Sequence, residues 1–181
     1  MKFPRIINLR KTSSNWGFTW SGFIFNKKGE WFLLLQVIFI CLHLLPRWPY
    51  LNNDQFILIK VISLIGIIIL FLGLIITSKG LLDLGRSLSP LPEPIKGASL
   101  IRHGIYKHSR HPIYSGIILC SAGITIYKSS LLHLILLFSL TVVLIFKARR
   151  EERKLKEIHS DYKDYSSITS AILSIPKYQK R

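Results

Sequence analysis

Residues 104–116 bring several chemically useful side chains together within thirteen positions. The reactive ones are Tyr106, Arg110, His111 and Tyr114, and glycine and proline residues are interspersed with them. A guanidinium binds carboxylate or phosphate oxygens, and an imidazole exchanges a proton near neutral pH. Taken alone, the segment is compatible with a basic collar at the end of a membrane helix. The ordered glycines and proline favour a shaped loop instead, because they fix the backbone where a ligand approaches closely.

A pair of adjacent carboxylates, Glu151 and Glu152, is the second feature with possible chemistry. Adjacent helical side chains point about 100° apart, so the two carboxylates cannot face one ligand squarely. One interpretation is a solvated helix in which the pair makes i,i+4 ion pairs with Lys147 and Lys156. The other is a carboxylate site for a cationic ligand beside the basic segment. The residues alone leave both interpretations open.

Three histidines in or near residues 104–116 raise the question of a metal site. Arg102, Lys107 and Arg110 would repel a cation, and the closest preceding carboxylate is Glu93. No thiol is near, so the sequence predicts no metal site. A signature for a nucleophilic serine with a histidine base is missing, as is a glycine-rich nucleotide-binding loop.

The elements that must position these residues are four apolar runs, at 31–45, 56–77, 113–127 and 131–146. The second run has twenty-two residues, and a helix of that length rises about 33 Å. This is enough to cross a hydrocarbon core of about 30 Å, so the run predicts a membrane-spanning helix. Three residues separate the last two runs, which predict a tight helical hairpin. Whether that hairpin crosses the membrane fully is left open.

The distribution of charge supports a membrane topology. The chain of 181 residues has a formal net charge of +16, yet 49% of its residues are hydrophobic, which excludes a disordered basic tail. Of the 25 Lys and Arg residues, 22 lie in 1–30, 78–112 and 147–181, which four helices would bring to one side. The positive-inside rule then predicts cytoplasmic termini and a cytoplasmic 78–112 loop. A nucleic-acid partner is not expected, because its basic binding residues should cover a water-soluble face.

The predicted fold is therefore an all-α integral membrane protein with about four transmembrane helices. It includes a C-terminal helical hairpin and a cytosolic helical extension beyond the fourth apolar run. Residues 1–55 are interpreted as a basic tail and a first membrane helix that serve as an anchor. Residues 56–181 are interpreted as the membrane core with the cytosolic loop and the C-terminal tail.

Local signals refine this organisation. Prolines at every second position from Pro90 to Pro94 forbid a helix and predict an extended path. Pro112 suits the first turn of the third membrane helix, where its missing N–H costs nothing. The fourth helix has no breaker after residue 146, and the chain is expected to leave helix through 160–165.

The sequence Gly-Ile-Tyr-Lys-His-Ser-Arg-His-Pro-Ile-Tyr-Ser-Gly at 104–116 resembles a known signature, G-x-Y-x-x-x-R-H-P-x-Y-x-G. That signature is typical of the isoprenylcysteine carboxyl methyltransferase family and of related membrane phospholipid N-methyltransferases. In these enzymes it precedes a helical hairpin and an acidic pair, and Glu151-Glu152 stands at the corresponding place.

The similarity covers roughly residues 80–178. It includes the lead-in at 84–90, the paired tyrosines Tyr162-x-x-Tyr165 and the Ile175-Pro176 pair. The chain departs from the family at Ser160, where a glycine commonly precedes the paired tyrosines. Taken alone, those tyrosines are interpreted as packing residues.

The resemblance implies S-adenosyl-L-methionine as the methyl donor, bound at the cytosolic edge of the membrane. It implies cofactor-binding roles for seven residues: Tyr106, His111, Pro112, Tyr114, Gly116, Glu151 and Glu152. It also implies catalytic roles for Arg110, His111 and Glu152. The implied acceptor is a lipid or a lipidated small molecule with a carboxylate or an amine, which enters from the bilayer. The oligomeric state is not indicated.

Two other functions stay open. Sterol-reductase-like oxidoreductases that use NADPH carry a similar Arg-His-Pro-x-Tyr element, although they are usually much longer. A non-catalytic membrane adaptor that binds anionic lipid would explain the basic segments but not the acidic pair. The acceptor cannot be read from composition, because lipid-facing walls contain Leu, Ile and Phe whatever the substrate.

Overall fold

The computed structural model describes residues 20–49, 56–95 and 97–172, and this part of the chain is helical. Its helices are α1 (Trp20–Phe25), α2 (Glu30–Leu42), α3 (Phe56–Leu84), α4 (Pro112–Lys128), α5 (Leu131–Ile158) and α6 (Tyr162–Ile168). Short 3₁₀ turns lie at Gly85–Ser87 and Gly104–Lys107. Within the described ranges, β structure is limited to one isolated parallel bridge between Ser109 and Ser170. The prediction of an all-helical protein is confirmed for these residues.

Two helical segments, Lys60–Leu84 and Leu131–Ile158, are long and apolar enough to cross a membrane. Only 11% and 33% of their most apolar stretches are buried, whereas the core helix of a soluble protein would be mostly buried. Both segments therefore present apolar surface to the surroundings, as helices in lipid do. The helix α2 is a shorter apolar helix, and α4 has 17 residues. The other two predicted spans, and the four-span topology, stay predictions.

The helices α3 and α4 pack against each other along a row of glycines. A Cβ atom added at Gly66 would lie 2.7 Å from the carbonyl oxygen of Gly123, and one at Gly73 would lie 2.7 Å from that of Gly116. Real Cβ atoms do not approach backbone this closely, so the contact exists because these positions carry no side chain. The interface fixes α4, whose first turn follows the predicted site residues, against α3.

The tight hairpin between α4 and α5 is tied to the segment after α2. The hydroxyl of Ser130 donates to the carbonyl oxygen of Trp48 at 2.7 Å, and the Trp48 N–H donates to that hydroxyl at 3.0 Å. The ammonium of Lys128 donates to the carbonyl oxygen of His43 at 3.0 Å. Polar contacts therefore close the end of the bundle that lies opposite the predicted site.

The helix α5 continues without a break from its apolar part to Ile158, as the absence of helix breakers predicted. The chain leaves helix at 159–161, as expected, but the expectation that it stays non-helical through 165 is wrong, because α6 begins at Tyr162. Tyr162 and Tyr165 are one turn apart on α6 and only 1% and 5% exposed, so their burial gives this short helix a packed face. The predicted packing role of these tyrosines is confirmed, whereas Ile175-Pro176 lies outside the described residues.

Candidate active site

The predicted site residues lie where the 104–111 segment enters α4. Pro112 is the first residue of α4, as predicted. The preceding turn depends on Gly104, which has a φ of 58° and lies against the carboxylate of Asp83. That carboxylate accepts a hydrogen bond from the Ile105 N–H at 2.7 Å. Sequence reasoning missed Asp83, because no local motif marks a carboxylate twenty-two residues before its partner.

Arg110 connects the 104–111 segment to α5 and to the end of α6. Its Nε donates to Oε1 of Glu152 at 2.8 Å, and its Nη1 donates to the carbonyl oxygens of Ser166, at 2.8 Å, and of Thr169. The Arg110 backbone N–H also donates to the carbonyl oxygen of Ser170 at 2.8 Å. A guanidinium has five N–H donors. The two on Nη2 have no protein partner within the described residues, so they are available to a ligand.

The carboxylate of Glu152 holds Arg110 and His111 together. Its Oε1 accepts from Arg110 Nε and lies 3.2 Å from Nε2 of His111. The side chains of His111 and Glu152 are 3% and 16% exposed, so water screens these contacts little. The interpretation of Glu152 as a solvated i,i+4 partner of Lys156 is wrong, because its carboxylate points to the 104–111 segment.

Glu151 has different partners from its neighbour. Its Oε2 accepts a hydrogen bond from the Tyr114 hydroxyl at 2.8 Å and lies 3.7 Å from Nδ1 of His111. The rings of His111 and Tyr114 stack, with centroids 5.2 Å apart and planes 6° from parallel. The two carboxylates diverge on the helix, yet both reach His111 because the imidazole has a nitrogen on each side. The predicted acidic pair and basic segment therefore form one cluster.

Lys147 and Gln36 join this cluster, and the motifs did not identify either as a site residue. The Lys147 ammonium donates to Oε1 of Gln36 at 2.7 Å and lies 5.3 Å from the ring centroid of Tyr114. Lys147 is only 2% exposed. The predicted i,i+4 ion pair between Lys147 and Glu151 is therefore replaced by these contacts. Gln36 belongs to α2, so the segment interpreted as an anchor also contributes a polar side chain to the cluster.

Buried tyrosines close the site on the side of α6. The Tyr165 hydroxyl donates to the carbonyl oxygen of Tyr106 at 2.6 Å, and the Tyr106 hydroxyl donates to that of Gly80 at 3.4 Å. Burial, with a smaller effect of the Glu151 carboxylate, raises the pKa of Tyr106 far above its ordinary value. Burial also raises the pKa of Tyr165 to about 12, against the opposing effect of Arg110. Both phenols are neutral at physiological pH, where they serve as hydrogen-bonding groups rather than as bases.

Two cavities adjoin at the cluster. The large cavity has a volume of about 290 Å³, and its walls include Leu33, Gln36, Thr77, Leu81, Ile117 and Lys147. The small cavity has a volume of about 70 Å³, and its walls include Ser87, Ser99, Leu155, His159, Tyr162 and Tyr165. Five residues line both cavities and so mark their junction: Leu84, Ser89, Tyr106, Arg110 and Glu151. The large cavity lies between α2 and α3 and has mainly apolar walls.

Each cavity also has a buried hydroxyl without a hydrogen-bond partner among the described residues. These are Oγ1 of Thr77 in the large cavity and the hydroxyl of Tyr162 in the small cavity. Buried polar groups are nearly always hydrogen-bonded. The Thr77 oxygen packs against Gly116 in the α3–α4 interface, so of the two hydroxyls that of Tyr162 is the candidate for contact with a ligand.

Three predicted site residues are not among those that line the two cavities. Gly116 faces the backbone of Thr77 and Gly73 in the α3–α4 interface, so its described role is helix packing. Pro112 begins α4, and Glu152 holds the adjacent basic side chains. The cofactor-binding and catalytic roles of these three residues, and of the other predicted site residues, stay predictions.

The described residues form helices, and two helical segments are suited to cross a membrane. A buried charged cluster lies beside a mainly apolar cavity. These features together indicate a membrane-embedded protein with a polar site at a helix end. Within that class, the chain belongs to the phospholipid methyltransferase family, whose model matches residues 61–162. The match contains every predicted site residue from Tyr106 to Glu152 and confirms the resemblance to membrane phospholipid methyltransferases. A search of the curated proteins gave no match.

Proposed function

We propose that this protein is an S-adenosyl-L-methionine-dependent methyltransferase that acts on a lipid or lipid-like acceptor at the cytosolic edge of the membrane. The observation that carries the proposal is the junction of the two cavities at Tyr106, Arg110 and Glu151. A polar methyl donor and an acceptor with an apolar chain require adjoining polar and apolar spaces, so that the reacting atoms meet in the correct geometry. Membership of a phospholipid methyltransferase family supports methyl transfer as the reaction.

The residues at the junction fit the chemistry of the donor. The donor carries a sulfonium, an α-amino group, a carboxylate and an adenosine, and when bound it supplies an electrophilic methyl group. The two Nη2 donors of Arg110 suit its carboxylate. The Glu151 carboxylate suits its amino group or ribose hydroxyls, and the Tyr162 hydroxyl offers a further polar contact. Glu152 acts indirectly, because it holds Arg110 and His111 in place.

The large cavity suits the acceptor. Leu33, Leu81 and Ile117 give it apolar walls between α2, α3 and α4. Leu81 is also 40% exposed, so this wall reaches the outer surface of the helices. An acceptor with a hydrocarbon chain can therefore enter laterally from the bilayer, with its polar end directed to the junction.

His111 gives the site a group that can move a proton. A carboxylate acceptor needs no general base, whereas an ammonium acceptor must lose its proton before methyl transfer. The His111 imidazole lines the large cavity and contacts both carboxylates of the acidic pair. It is therefore placed to take that proton if the acceptor is an amine.

Binding of S-adenosylhomocysteine to the detergent-purified protein tests the proposal. Glu151→Gln keeps the size of the side chain and removes its charge, and a hydrogen bond to a charged group contributes about 1.5 to 3 kcal/mol. We expect binding at least about 10-fold weaker by calorimetry, since about 1.4 kcal/mol is a tenfold change. Glu157→Gln is the matched control, because Glu157 lies on the same helix and its side chain is 61% exposed.

Two further measurements make the test decisive. NADPH is titrated in parallel, and wild-type protein that binds NADPH but not S-adenosylhomocysteine would overturn the proposal. Transfer of a labelled methyl group into a native lipid extract, followed by identification of the labelled lipid, then gives the acceptor.

A further inference from the structure

Lys147 is a buried cation with no carboxylate within ion-pair distance among the described residues. It is 2% exposed, and no ion pair within the described residues includes it. The Glu151 carboxylate, one turn along α5, accepts from Tyr114 and attracts the Lys147 ammonium only from beyond ion-pair distance. The Lys147 ammonium has three N–H donors, and its one hydrogen bond in the described structure goes to the neutral amide oxygen of Gln36. A buried charge normally requires a compensating partner in direct contact, and in the described structure Lys147 has none with a negative charge.

Membrane proteins often have a lysine at the end of a span, with its ammonium in water. The ammonium of Lys147 does not reach water in this way. A snorkelling side chain keeps its charged head in water while its stem covers apolar surface. The near-complete burial of Lys147, and its position over the Tyr114 ring, place the ammonium inside the protein instead. An orienting role at the membrane surface therefore does not explain this residue.

Lys147 and Gln36 both line the large cavity, whose walls are mainly apolar and whose other charged or titratable side chains include Arg110, His111 and Glu151. The Gln36 amide accepts from Lys147 through its oxygen, so its NH₂ group keeps donors of its own. The Tyr114 ring contacts the Lys147 ammonium and also stacks on the His111 ring. Lys147 is therefore separated from Arg110 and His111, the basic pair of the site, by about one aromatic ring. An amphiphile in the cavity therefore meets donors for an anionic oxygen close to the junction.

We propose that Lys147 and Gln36 form an anion-binding subsite for the acceptor. The acceptor is accordingly an amphiphile that carries a carboxylate or a phosphodiester next to its hydrocarbon chain. The inference rests on the proposed function, because it names the chemistry of the acceptor at the same site. The anionic oxygens bind the Lys147 ammonium and the Gln36 NH₂ group, and this contact places the reacting atom at the junction. A neutral lipid gains nothing from Lys147, and a cationic amphiphile without an anionic group is repelled.

Titration of three oleoyl amphiphiles into the purified full chain in neutral detergent tests the subsite. The probes are oleate, a lysophosphatidylethanolamine and the neutral monoolein, and binding is measured by thermophoresis. Lys147→Met removes the charge and keeps the stem. We expect oleate, the zwitterionic lysophospholipid with its anionic phosphodiester, or both (hereafter the anionic probes) to bind about 10-fold more weakly, while monoolein is unaffected. Arg149→Met is the matched control, since it removes an exposed positive charge two residues away on α5.

The probes that lose affinity for the Lys147→Met variant show which anionic group the subsite binds. A loss confined to oleate assigns a carboxylate acceptor, and a loss confined to the lysophospholipid assigns a phosphodiester. Lys147→Arg should restore most of the affinity, and Gln36→Leu should weaken the same probe by a smaller factor. Equal binding of the anionic probes to wild type, Lys147→Met and Gln36→Leu would overturn the subsite.

Failure of the subsite is distinguishable from failure of the proposed function. S-adenosylhomocysteine binding is measured on the same preparations and should survive Lys147→Met, which also shows that this variant is folded. If wild-type protein binds no S-adenosylhomocysteine but the anionic probes depend on Lys147, the methyltransferase proposal fails and the subsite stands. If Lys147→Met does not fold, the subsite is tested by comparing probe binding to Gln36→Leu with probe binding to wild type.

Discussion

Glu151 and Glu152 are adjacent in the chain but have different hydrogen-bond partners in the candidate site. Glu151 lines both cavities and accepts from Tyr114, whereas Glu152 binds Arg110 and His111 and is absent from the cavity walls. Glu151 is therefore the residue expected to contact a ligand. Glu152 is a positioning residue.

Glu152→Gln should change stability as well as binding. The amide keeps an acceptor for Arg110 but loses the negative charge that neutralises the basic pair, and we expect a loss of about 2 kcal/mol in the free energy of unfolding. Thermal unfolding in detergent measures the effect. Glu151→Gln should weaken S-adenosylhomocysteine binding with a smaller change in stability. If Glu152→Gln left the melting temperature unchanged, Glu152 would not hold the pair as we argue.

At the scale of elements, the position of the site depends on how closely α3 and α4 approach. Gly66 and Gly73 are seven residues apart on α3, and they meet Gly123 and Gly116, also seven residues apart on α4. On each helix the two glycines are separated by about two helical turns, so they lie nearly on one face of that helix. The contact fixes the start of α4, and with it Arg110 and His111, relative to α3.

Gly73→Val should separate these helices. The added Cβ would lie 2.6 Å from the backbone nitrogen of Cys120, which cannot move like a side chain. Overpacking costs about 1 to 3 kcal/mol, and we expect the upper end of that range because the obstacle is backbone. Thermal unfolding and the yield of folded protein measure the loss. Leu72→Val, at a position 51% exposed on the same helix, should have little effect.

The sequence predicted the four apolar helices α2 to α5 and the central cluster, because the apolar runs and the signature are local patterns, but it did not predict α1 or α6. Arg110, His111 and the acidic pair were named from such patterns, and the structure brings them together. The contact between Lys147 and Gln36 could not be predicted, since it joins residues 111 positions apart on different helices. The different partners of Glu151 and Glu152 also depend on the fold, because both residues have the same side chain.

At the scale of the whole molecule, α4 connects two polar ends through an apolar layer. Its 17 residues rise about 25 Å, close to the hydrocarbon thickness of about 30 Å. The charged cluster lies at its first turn, and Lys128 and the buried His43 lie at its other end. Most of the basic residues belong to the segments at the first of these ends.

This asymmetry predicts that the site faces the cytoplasm. In a background without Cys41 and Cys120, a Ser129→Cys variant should react with a membrane-impermeant maleimide in intact cells. A Ser167→Cys variant should react only after permeabilisation. Both serines are exposed, so access to the side chain is not limited by the fold. Labelling of the Ser167→Cys variant in intact cells would place the site on the opposite side.

The bonds from Arg110 to α6 and the residues after it have a consequence for biosynthesis. The ribosome makes Arg110 fifty-six residues before Ser166, and the carbonyl oxygens of Ser166 and Thr169 bind its guanidinium. Every apolar helix is therefore synthesised before the guanidinium acquires these partners. A nascent chain that has already entered the bilayer still lacks these contacts, and one released by a premature stop after α5 would leave the Arg110 guanidinium without them.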